Sequence, residues 1–187
     1  MCKCNPKIRT PYCGNIGCTR EGGEAKVYPV QRLETLSDCI VFATRAHEGQ
    51  KDKIGEPYIF HPFRVMSLLC DEASRMAAVL HDVVEDTPWT LEDLRGLGLR
   101  RDVLEAVDLL TKRPGVQYEE YLGKIVKSDI ALRVKIADLR DNMSPARLYK
   151  LPHETRERLT RKYIDALHFL EGYIRNVSLD LNEALVG

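Results

Sequence analysis

The sequence predicts an all-α fold, and two observations carry this prediction: the spacing of the prolines and the period of the apolar residues. The nine prolines leave windows long enough for one or two helices each. Proline is rare inside helices and common in their first turn, so such windows are typical of helices joined by short turns. The windows are residues 30–56, 63–87, 89–113, 115–144 and 153–187.

Two windows hold an apolar stripe at helical spacing, and no segment alternates in the manner of a half-buried strand. The first stripe predicts a continuous helix over residues 76–86, and it consists of Met76, Val79, Leu80, Val83 and Val84. The second stripe lies near the C-terminus and consists of Leu159, Tyr163, Ala166, Leu167, Leu170, Ile174 and Val177.

Two further helices have a start signal in the sequence. Thr90 precedes Glu92 and Asp93, and Ser128 with Asp129 precedes an apolar residue. Hydroxyl side chains cap the free N–H groups of a helix start, and acidic residues favour its first turn. We therefore expect helices to begin directly after Thr90 and Ser128.

The composition is that of a globular protein and excludes several classes. Lys plus Arg and Asp plus Glu both number 28 in 187 residues, and 44% of the residues are hydrophobic. This balance argues against disorder and against a general nucleic-acid-binding surface. No apolar run approaches the length of a membrane span, and the first residues contain no signal-peptide core. We expect a cytoplasmic protein without membrane or nucleic-acid partners.

The cysteines separate an N-terminal arm from the rest of the chain. Four of the six cysteines lie close together in a segment with glycines and prolines, and the other two lie alone in apolar patterns. Clustered thiolates can hold a tetrahedral zinc ion, and the alternative is a tail of unpaired thiols. We expect an irregular, zinc-bound arm over residues 1–29 and a helical domain over residues 30–187. The candidate zinc ligands are Cys2, Cys4, Cys13 and Cys18.

One face of the predicted 76–86 helix is acidic. Opposite its apolar stripe lie His81, Asp82, Glu85 and Asp86, at about 100° of rotation per residue. A solvated face usually mixes in Lys or Arg, whereas this face has three carboxylates and an imidazole. Such a cluster repels itself unless a cation is supplied.

Three other polar residues also need partners. Asp138 and Asp141 border or enter the apolar stripe of a helix predicted over residues 129–143, and His61 lies at the entrance of another helix, facing inward. Each has a simpler explanation when taken alone. His61 would then be a packed histidine, and Asp138 would form a salt bridge with Arg133 or Lys135.

One divalent metal bound by His61, His81, Asp82 and Asp138 would explain the acidic face, the carboxylate on the apolar stripe and the inward-facing histidine. Their order resembles the H…HD…D signature of the HD-domain metal-dependent phosphohydrolases. Over roughly residues 33–150 the chain is similar to the hydrolase domain of RelA/SpoT-type (p)ppGpp hydrolases and to small alarmone hydrolases. The segments concerned are AHEGQKDKIGEPYIFHPFRV (46–65), AAVLHDVVEDTPWTLEDL (77–94), LLTK (109–112) and VKIADLRDNM (134–143).

The resemblance implies a helical domain that holds one Mn²⁺-like ion and releases pyrophosphate from the 3′ position of (p)ppGpp. By position, Glu85 and Asp86 match the catalytic acidic pair of the family. A nucleotide is then the expected partner, and a homodimer is a further expectation. The residues expected to contact the substrate are Lys53 and Asn142 from the resemblance, and Lys51 and Arg147 as cations for the phosphates.

Three departures from the family pattern bear on the nucleotide base. Asp52 stands where the alarmone hydrolases usually carry an arginine that stacks on guanine, Asp141 replaces a histidine, and Ser144-Pro145 replaces Arg-Thr. An aspartate cannot supply a planar cationic stack. One alternative is therefore a phosphatase that acts on another nucleotide or on a phosphorylated dinucleotide cofactor. Another is a non-catalytic binding module with a structural metal.

Overall fold

Ten helices and short turns make up the described part of this computed structural model, residues 32–186, with side chains described as far as residue 176. Within that part, β pairing is confined to one isolated bridge between Lys51 and Pro57, which confirms the all-α prediction. The arm predicted over residues 1–29, with its four cysteines, lies outside the described residues. The helices are α1 (Leu36–Ala46), α2 (Phe60–Ser67), α3 (Glu72–Leu80), α4 (Val83–Asp86), α5 (Leu91–Gly96), α6 (Arg101–Leu110), α7 (Tyr118–Ile125), α8 (Asp129–Asn142), α9 (Pro145–Leu148) and α10 (His153–Val186).

Helix α3 lies at the centre of the fold and packs against α1, α2, α6 and α8. Its N-cap is Asp71, whose carboxylate accepts the backbone N–H of Ser74 at 2.8 Å. The apolar stripe predicted for this region is buried at Met76, Val79 and Leu80. Because neighbouring helices cover α3 on several sides, the polar residues at its C-terminal end lie inside the protein.

The continuous helix predicted over residues 76–86 is wrong in one respect, because it breaks at His81 and Asp82. Helix α3 ends at Leu80, and the one-turn helix α4 begins at Val83. Asp82 has φ −98° and ψ −5°, at the edge of the right-handed helical region and away from regular α-helical angles, where the helix is interrupted. The break brings the adjacent side chains of His81 and Asp82 together, with Nε2 and Oδ2 2.9 Å apart, where a regular helix would separate them by about 100°.

Helix α8 faces the break in α3 from the other side of the core. Its N-cap is Ser128, which accepts the N–H of Ala131 at 3.3 Å, as the sequence predicts. Further along the inner face, Asp138 and Asp141 are both buried at 5% exposure. The two carboxylates predicted to enter an apolar stripe therefore do so, and each has polar partners across the helix interfaces.

Helix α10 covers one side of the fold by packing on α7 and α8. Leu159, Ala166 and Leu170 of the predicted C-terminal stripe are buried, whereas Ile174 is 40% exposed. The stripe is thus confirmed as a packing face up to Leu170. None of the helices in residues 32–186 is long and apolar enough to cross a lipid bilayer.

Candidate metal centre

Three segments far apart in the sequence bring the predicted metal ligands to one place. His61 lies on α2, His81 and Asp82 lie at the break between α3 and α4, and Asp138 lies on α8. These helices pack against one another, so the side chains meet in the core. One ligand atom from each of His61, His81 and Asp138 lies within 4.8 Å of the other two. The structure therefore brings together the four residues that the sequence singled out.

The imidazole nitrogens face the carboxylate oxygens across short distances. Nε2 of His61 lies 3.1 Å from Oδ1 of Asp138 and 3.8 Å from Oδ2 of Asp82. Nε2 of His81 lies 2.9 Å from Oδ2 of Asp82 and 4.0 Å from Oδ1 of Asp138. Two nitrogens and two carboxylates in one buried pocket form a mixed N/O donor set, which suits Mn²⁺, Fe²⁺ or Zn²⁺.

The hydrogen bonding of His81 supports a cation at this position. Its Nδ1 lies 2.7 Å from the carbonyl oxygen of Ala78. Because a carbonyl oxygen can only accept, Nδ1 carries the hydrogen, and Nε2 is left with a lone pair in the neutral ring. That Nε2 is buried and makes no hydrogen bond of acceptable geometry with the described residues, although Oδ2 of Asp82 lies 2.9 Å away. A backbone carbonyl on the remote nitrogen is the usual support of a metal-binding histidine, so these residues fit a metal ion.

The charges of the cluster also favour a bound cation. Burial disfavours a charged imidazole, but the carboxylates of Asp82 and Asp138 outweigh it and raise the pKa of His81 to about 9. Burial likewise opposes charge on Asp82, but the facing imidazole of His81 and that of His61 hold the pKa of this carboxyl below its usual range. The pocket thus favours positive charge between its carboxylates, which a proton or a metal ion can supply.

Lys135 is a largely buried cation beside the cluster. Its Nζ lies 2.8 Å from Oδ2 of Asp138 and 5.4 Å from the ring centroid of Tyr121. The salt bridge considered as an alternative for Asp138 therefore exists, and it uses the oxygen that does not face His61. The other candidate, Arg133, lies near Asp71 instead. Asp138 can accordingly pair with Lys135 and still offer Oδ1 to a metal.

The two predicted catalytic carboxylates lie on α4, directly after the cluster. Glu85 accepts the backbone N–H of Lys112 at 2.9 Å, which anchors its side chain. Burial raises the pKa of Glu85 and of Asp86, and the negative charge of Asp82 adds to the effect in both. Two carboxyl groups that hold a proton more readily than usual therefore stand beside the ligand pair.

The predicted substrate contacts divide into two groups. Lys51 and Lys53 are exposed on the segment between α1 and α2. Asn142 donates to Oδ1 of Asp138 at 2.5 Å, and Arg147 donates to Oδ2 of Asp141 at 2.6 Å. The lysines are open to a ligand, whereas Asn142 and Arg147 already have partners inside the protein.

Asp52 has a structural place that its sequence position does not indicate. Its side chain is 4% exposed, and Oδ1 accepts the backbone N–H groups of Ile54 and Glu56 at 3.0 Å each. It closes the turn that carries Lys53, and Oδ2 lies 3.9 Å from Nη2 of Arg147. The carboxylate of Asp52 therefore points into its own turn, and replacing it with arginine would remove the two hydrogen bonds that hold this turn.

Two contacts of the centre went unnoticed in the sequence. The hydroxyl of Tyr58 donates to Asp82, and the guanidinium of Arg64 donates to Asp141. Tyr58 and Arg64 each lie three residues from His61, a spacing that would have placed them beside it on a helical turn. This three-residue spacing is the sequence signal that would have indicated both contacts.

Comparison with known proteins places this geometry in a family. Residues 39–119 match the family model of the HD domain. A Streptomyces coelicolor protein named GTP pyrophosphokinase is 39% identical over 161 residues, which cover 77% of this chain and 18% of that protein. The Escherichia coli K12 protein named bifunctional (p)ppGpp synthase/hydrolase SpoT is 32% identical over 152 residues, which cover 73% of this chain and 21% of that protein. The chain spans about a fifth of the length of these curated relatives.

A solved structure of similar length agrees with these matches. It is described as a metazoan orthologue of SpoT that hydrolyses ppGpp and acts in starvation responses. The two structures have a TM-score of 0.58 and 29% sequence identity, over 71% of this chain and 84% of the other. The resemblance seen in the sequence is confirmed: the chain contains an HD domain over residues 39–119 and is related to the SpoT-type enzymes.

Proposed function

We propose that this chain is a divalent-metal-dependent hydrolase that releases pyrophosphate from the 3′ position of (p)ppGpp or a related alarmone. The observation that carries the proposal is the buried cluster of His61, His81 and Asp138, in which Nε2 of His81 faces the carboxylates without a well-formed hydrogen bond. The relatives named for (p)ppGpp hydrolysis support this substrate class.

The proposed metal ligands are His61, His81, Asp82 and Asp138, and the proposed ion is Mn²⁺. A bound ion of this kind would lower the pKa of a water ligand and offset phosphate charge. The protein contributes a fixed donor set: the carbonyl of Ala78 orients His81, and the break after α3 holds Asp82 beside it. Lys135 neutralises the second oxygen of Asp138, which limits the excess negative charge of the pocket.

Glu85 and Asp86 are proposed to act on the attacking water and on the leaving group. They lie within about one helical turn of Asp82, so their carboxylates can reach a water beside the ligand pair. A carboxylate whose pKa is raised accepts a proton from water more readily and can return it to a leaving oxygen. The hydrogen bond from Lys112 keeps Glu85 in place during this transfer.

The proposed substrate contacts are Lys51, Lys53, Asn142 and Arg147. The two exposed lysines can reach phosphate groups and offset their charge. Asn142 lies against Asp138, so a nucleotide bound there would sit directly over the ligand cluster. Arg147 shares its guanidinium with Asp141 and Asp52, which leaves part of its donors for a phosphate.

A different phosphorylated nucleotide is the second candidate substrate, including a phosphorylated dinucleotide cofactor. The observation that favours it is Asp52, which replaces the arginine expected to stack on guanine and is turned into its own loop. Without that stack, preference for guanine would have to come from other groups.

The test is to incubate the full chain, loaded with Mn²⁺, with ppGpp, pppGpp and phosphorylated dinucleotide cofactors, and to identify the product by ³¹P NMR. Release of pyrophosphate from ppGpp supports the proposal. Release of orthophosphate from a dinucleotide cofactor, without turnover of ppGpp, would replace it with the second candidate. Bound Mn²⁺ without turnover of any nucleotide would instead indicate a binding module.

Variants of the acidic pair test the assignment of roles. Glu85→Gln and Asp86→Asn are each expected to keep Mn²⁺ and to lower the rate by about 100-fold or more. Glu92→Gln is the matched control, because Glu92 is exposed on α5 and pairs with Arg95 at the surface. Loss of Mn²⁺ from both acidic-pair variants would make these residues ligands or supports instead.

The N-terminal residues are proposed to form a separate zinc-bound arm over residues 1–29, ahead of the hydrolase domain over residues 30–187. The proposed ligands are Cys2, Cys4, Cys13 and Cys18, since thiolates select a softer ion than a His/Asp cluster does. Elemental analysis of the wild type and of a Cys13→Ser/Cys18→Ser variant tests this. Loss of zinc with retention of Mn²⁺ is expected, and equal zinc in both proteins would overturn the proposal.

A further inference from the structure

Asp141 is a buried carboxylate beside the metal cluster, with three side-chain partners. Oδ2 lies 2.7 Å from Nδ1 of His61 and 2.6 Å from Nη1 of Arg147. Oδ1 lies 2.7 Å from Nε of Arg64. The side chain is 5% exposed, so three groups from α2 and α9 meet one buried carboxylate of α8.

The direction of these hydrogen bonds follows from chemistry. A guanidinium can only donate, and two guanidiniums keep the Asp141 carboxylate ionised and therefore accepting. Nδ1 of His61 must then carry the hydrogen that fills the 2.7 Å contact. Nη1 of Arg147 also lies 2.9 Å from this Nδ1, but two donors cannot bond each other, so its hydrogen belongs to Asp141.

The opposite nitrogen of the same ring faces the metal cluster. With the hydrogen on Nδ1, the neutral ring of His61 has its lone pair on Nε2, which lies 3.1 Å from Oδ1 of Asp138. The pattern repeats what the carbonyl of Ala78 does for His81, with a carboxylate in place of a carbonyl. Both histidines thus have their remote nitrogen fixed by an acceptor.

The four groups form two pairs with the same spacing on two packed helices. His61 and Arg64 are three residues apart on α2, and Asp138 and Asp141 are three residues apart on α8. Residues at this spacing lie on one face of a helix, so the contact between α2 and α8 joins both pairs. His61 of one helix and Asp138 of the other face the metal cluster, and Arg64 and Asp141 lie behind them.

We propose that Asp141, held by Arg64 and Arg147, is a positioning residue that fixes the ring of His61 for metal binding. This rests on the proposed metal centre. A histidine at position 141, the residue usual in the family at this point, could not accept from both guanidiniums, so the support is a feature of this chain's own residues. The alternative is an ion cluster that merely joins α2, α8 and α9.

The experiment compares the full-length wild type with Asp141→Asn and Arg64→Gln, and uses Asp129→Asn as the control because Asp129 is exposed on the same helix. Calorimetric titration with Mn²⁺ measures affinity. We expect Asp141→Asn to bind about 10-fold to 100-fold more weakly and Arg64→Gln to show a smaller loss. Asp129→Asn should match the wild type.

A second measurement does not depend on metal. In metal-free, ¹⁵N-labelled protein, the Nδ1–H proton of His61, assigned by its loss in His61→Gln, should exchange slowly with water. Asp141→Asn should speed this exchange, because the amide cannot accept from His61 and both arginines as the carboxylate does.

The outcomes separate this inference from the proposed function. If the wild type and Asp141→Asn bind Mn²⁺ equally and the variant is merely less stable, Asp141 is a structural ion partner and the inference is overturned. If the wild type itself binds no Mn²⁺, the metal centre fails, and the positioning role fails with it. Weaker binding and faster exchange in a folded Asp141→Asn variant support the inference.

Discussion

The hydroxyl of Tyr58 donates a hydrogen bond to Oδ2 of Asp82, with the two oxygens 2.5 Å apart. The ring lies 4.9 Å from that of His47 and 6.0 Å, edge to face, from that of His61. Burial raises the pKa of Tyr58, with the charge of Asp82 adding to it, so the hydroxyl stays protonated and keeps donating. Tyr58 therefore orients the one carboxylate of the centre that lies at a helix break.

Tyr58→Phe should weaken the metal site without unfolding the protein. The substitution keeps the ring and removes the donor to Asp82, and supports of this kind are typically worth about 10-fold to 100-fold in metal affinity or activity. Mn²⁺ titration and a thermal melt measure the two effects. Tyr149→Phe is the matched control, because Tyr149 is 76% exposed. Equal affinity in the two variants would contradict the role given to the Tyr58 hydroxyl.

Lys135→Met should destabilise the metal-free protein by about 3 kcal/mol, because it leaves the buried charge of Asp138 without its cation. Urea unfolding with and without Mn²⁺ measures this loss. Added Mn²⁺ should restore part of it, since the ion supplies positive charge to the same carboxylate. Lys124→Met breaks an exposed pair with Glu120 and should change stability by less than about 1 kcal/mol. A similar cost in both variants would contradict the prediction.

Asp71→Ala should cost about 1 kcal/mol of stability at pH 7, because Asp71 caps the N-terminus of α3. Burial alone would raise its pKa, but the hydrogen bond from Ser74 and the charge of Arg133 lower it overall. A folded pKa below the unfolded value of about 3.9 means that this stability is present above that pH and is lost as pH falls through the folded pKa.

The gap in unfolding free energy between the wild type and Asp71→Ala should therefore be full at pH 7 and shrink at about pH 3. Ser128→Ala provides the control, because the hydroxyl that caps α8 does not titrate in this range. The difference in unfolding free energy between the wild type and Ser128→Ala should be the same at both values of pH. A gap for Asp71→Ala that is the same at both values of pH would exclude an ionised cap.

The two described cysteines should differ sharply in reactivity. Cys39 is buried, and burial, with the charge of Asp38 adding to it, raises the pKa of its thiol to about 12. Cys70 is exposed. At neutral pH, iodoacetamide should alkylate Cys70 in the folded protein and Cys39 after unfolding in urea, since the thiolate is the reactive form. Peptide mass spectrometry distinguishes the sites, and rapid alkylation of Cys39 without urea would contradict its burial.

Local signals predicted the helix starts correctly. Thr90 and Ser128 are the N-caps of α5 and α8, because a capping hydroxyl bonds N–H groups within three residues of itself. The break at Asp82 was not predictable from spacing alone. Its carboxylate accepts a hydrogen bond from Tyr58, which lies 24 residues earlier, and the local spacing contains no sign of this tertiary contact.

The candidate site was predicted as a set of residues but not as a set of contacts. His61, His81 and Asp138 meet as expected, because carboxylates and histidines on the buried faces of helices need polar partners inside the protein. In the sequence, Asp141 and Asp52 are departures from a family pattern. Asp141 has its partners on α2 and α9, and Asp52 bonds the backbone of its own turn. These contacts depend on how the helices pack, which the sequence pattern does not show.

The turn that carries Lys53 is tied down by two ion pairs of different character. Lys150 lies 2.7 Å from Glu56 at the surface, where both side chains are exposed, while Arg147 lies near the buried carboxylate of Asp52. Salt at 1 M shortens the Debye screening length to about 3 Å. It weakens ion pairs at the surface far more than ion pairs in the interior. High ionic strength should thus weaken the Lys150–Glu56 pair and loosen the turn that carries Lys53, a proposed phosphate contact. The buried metal ligands should keep their arrangement.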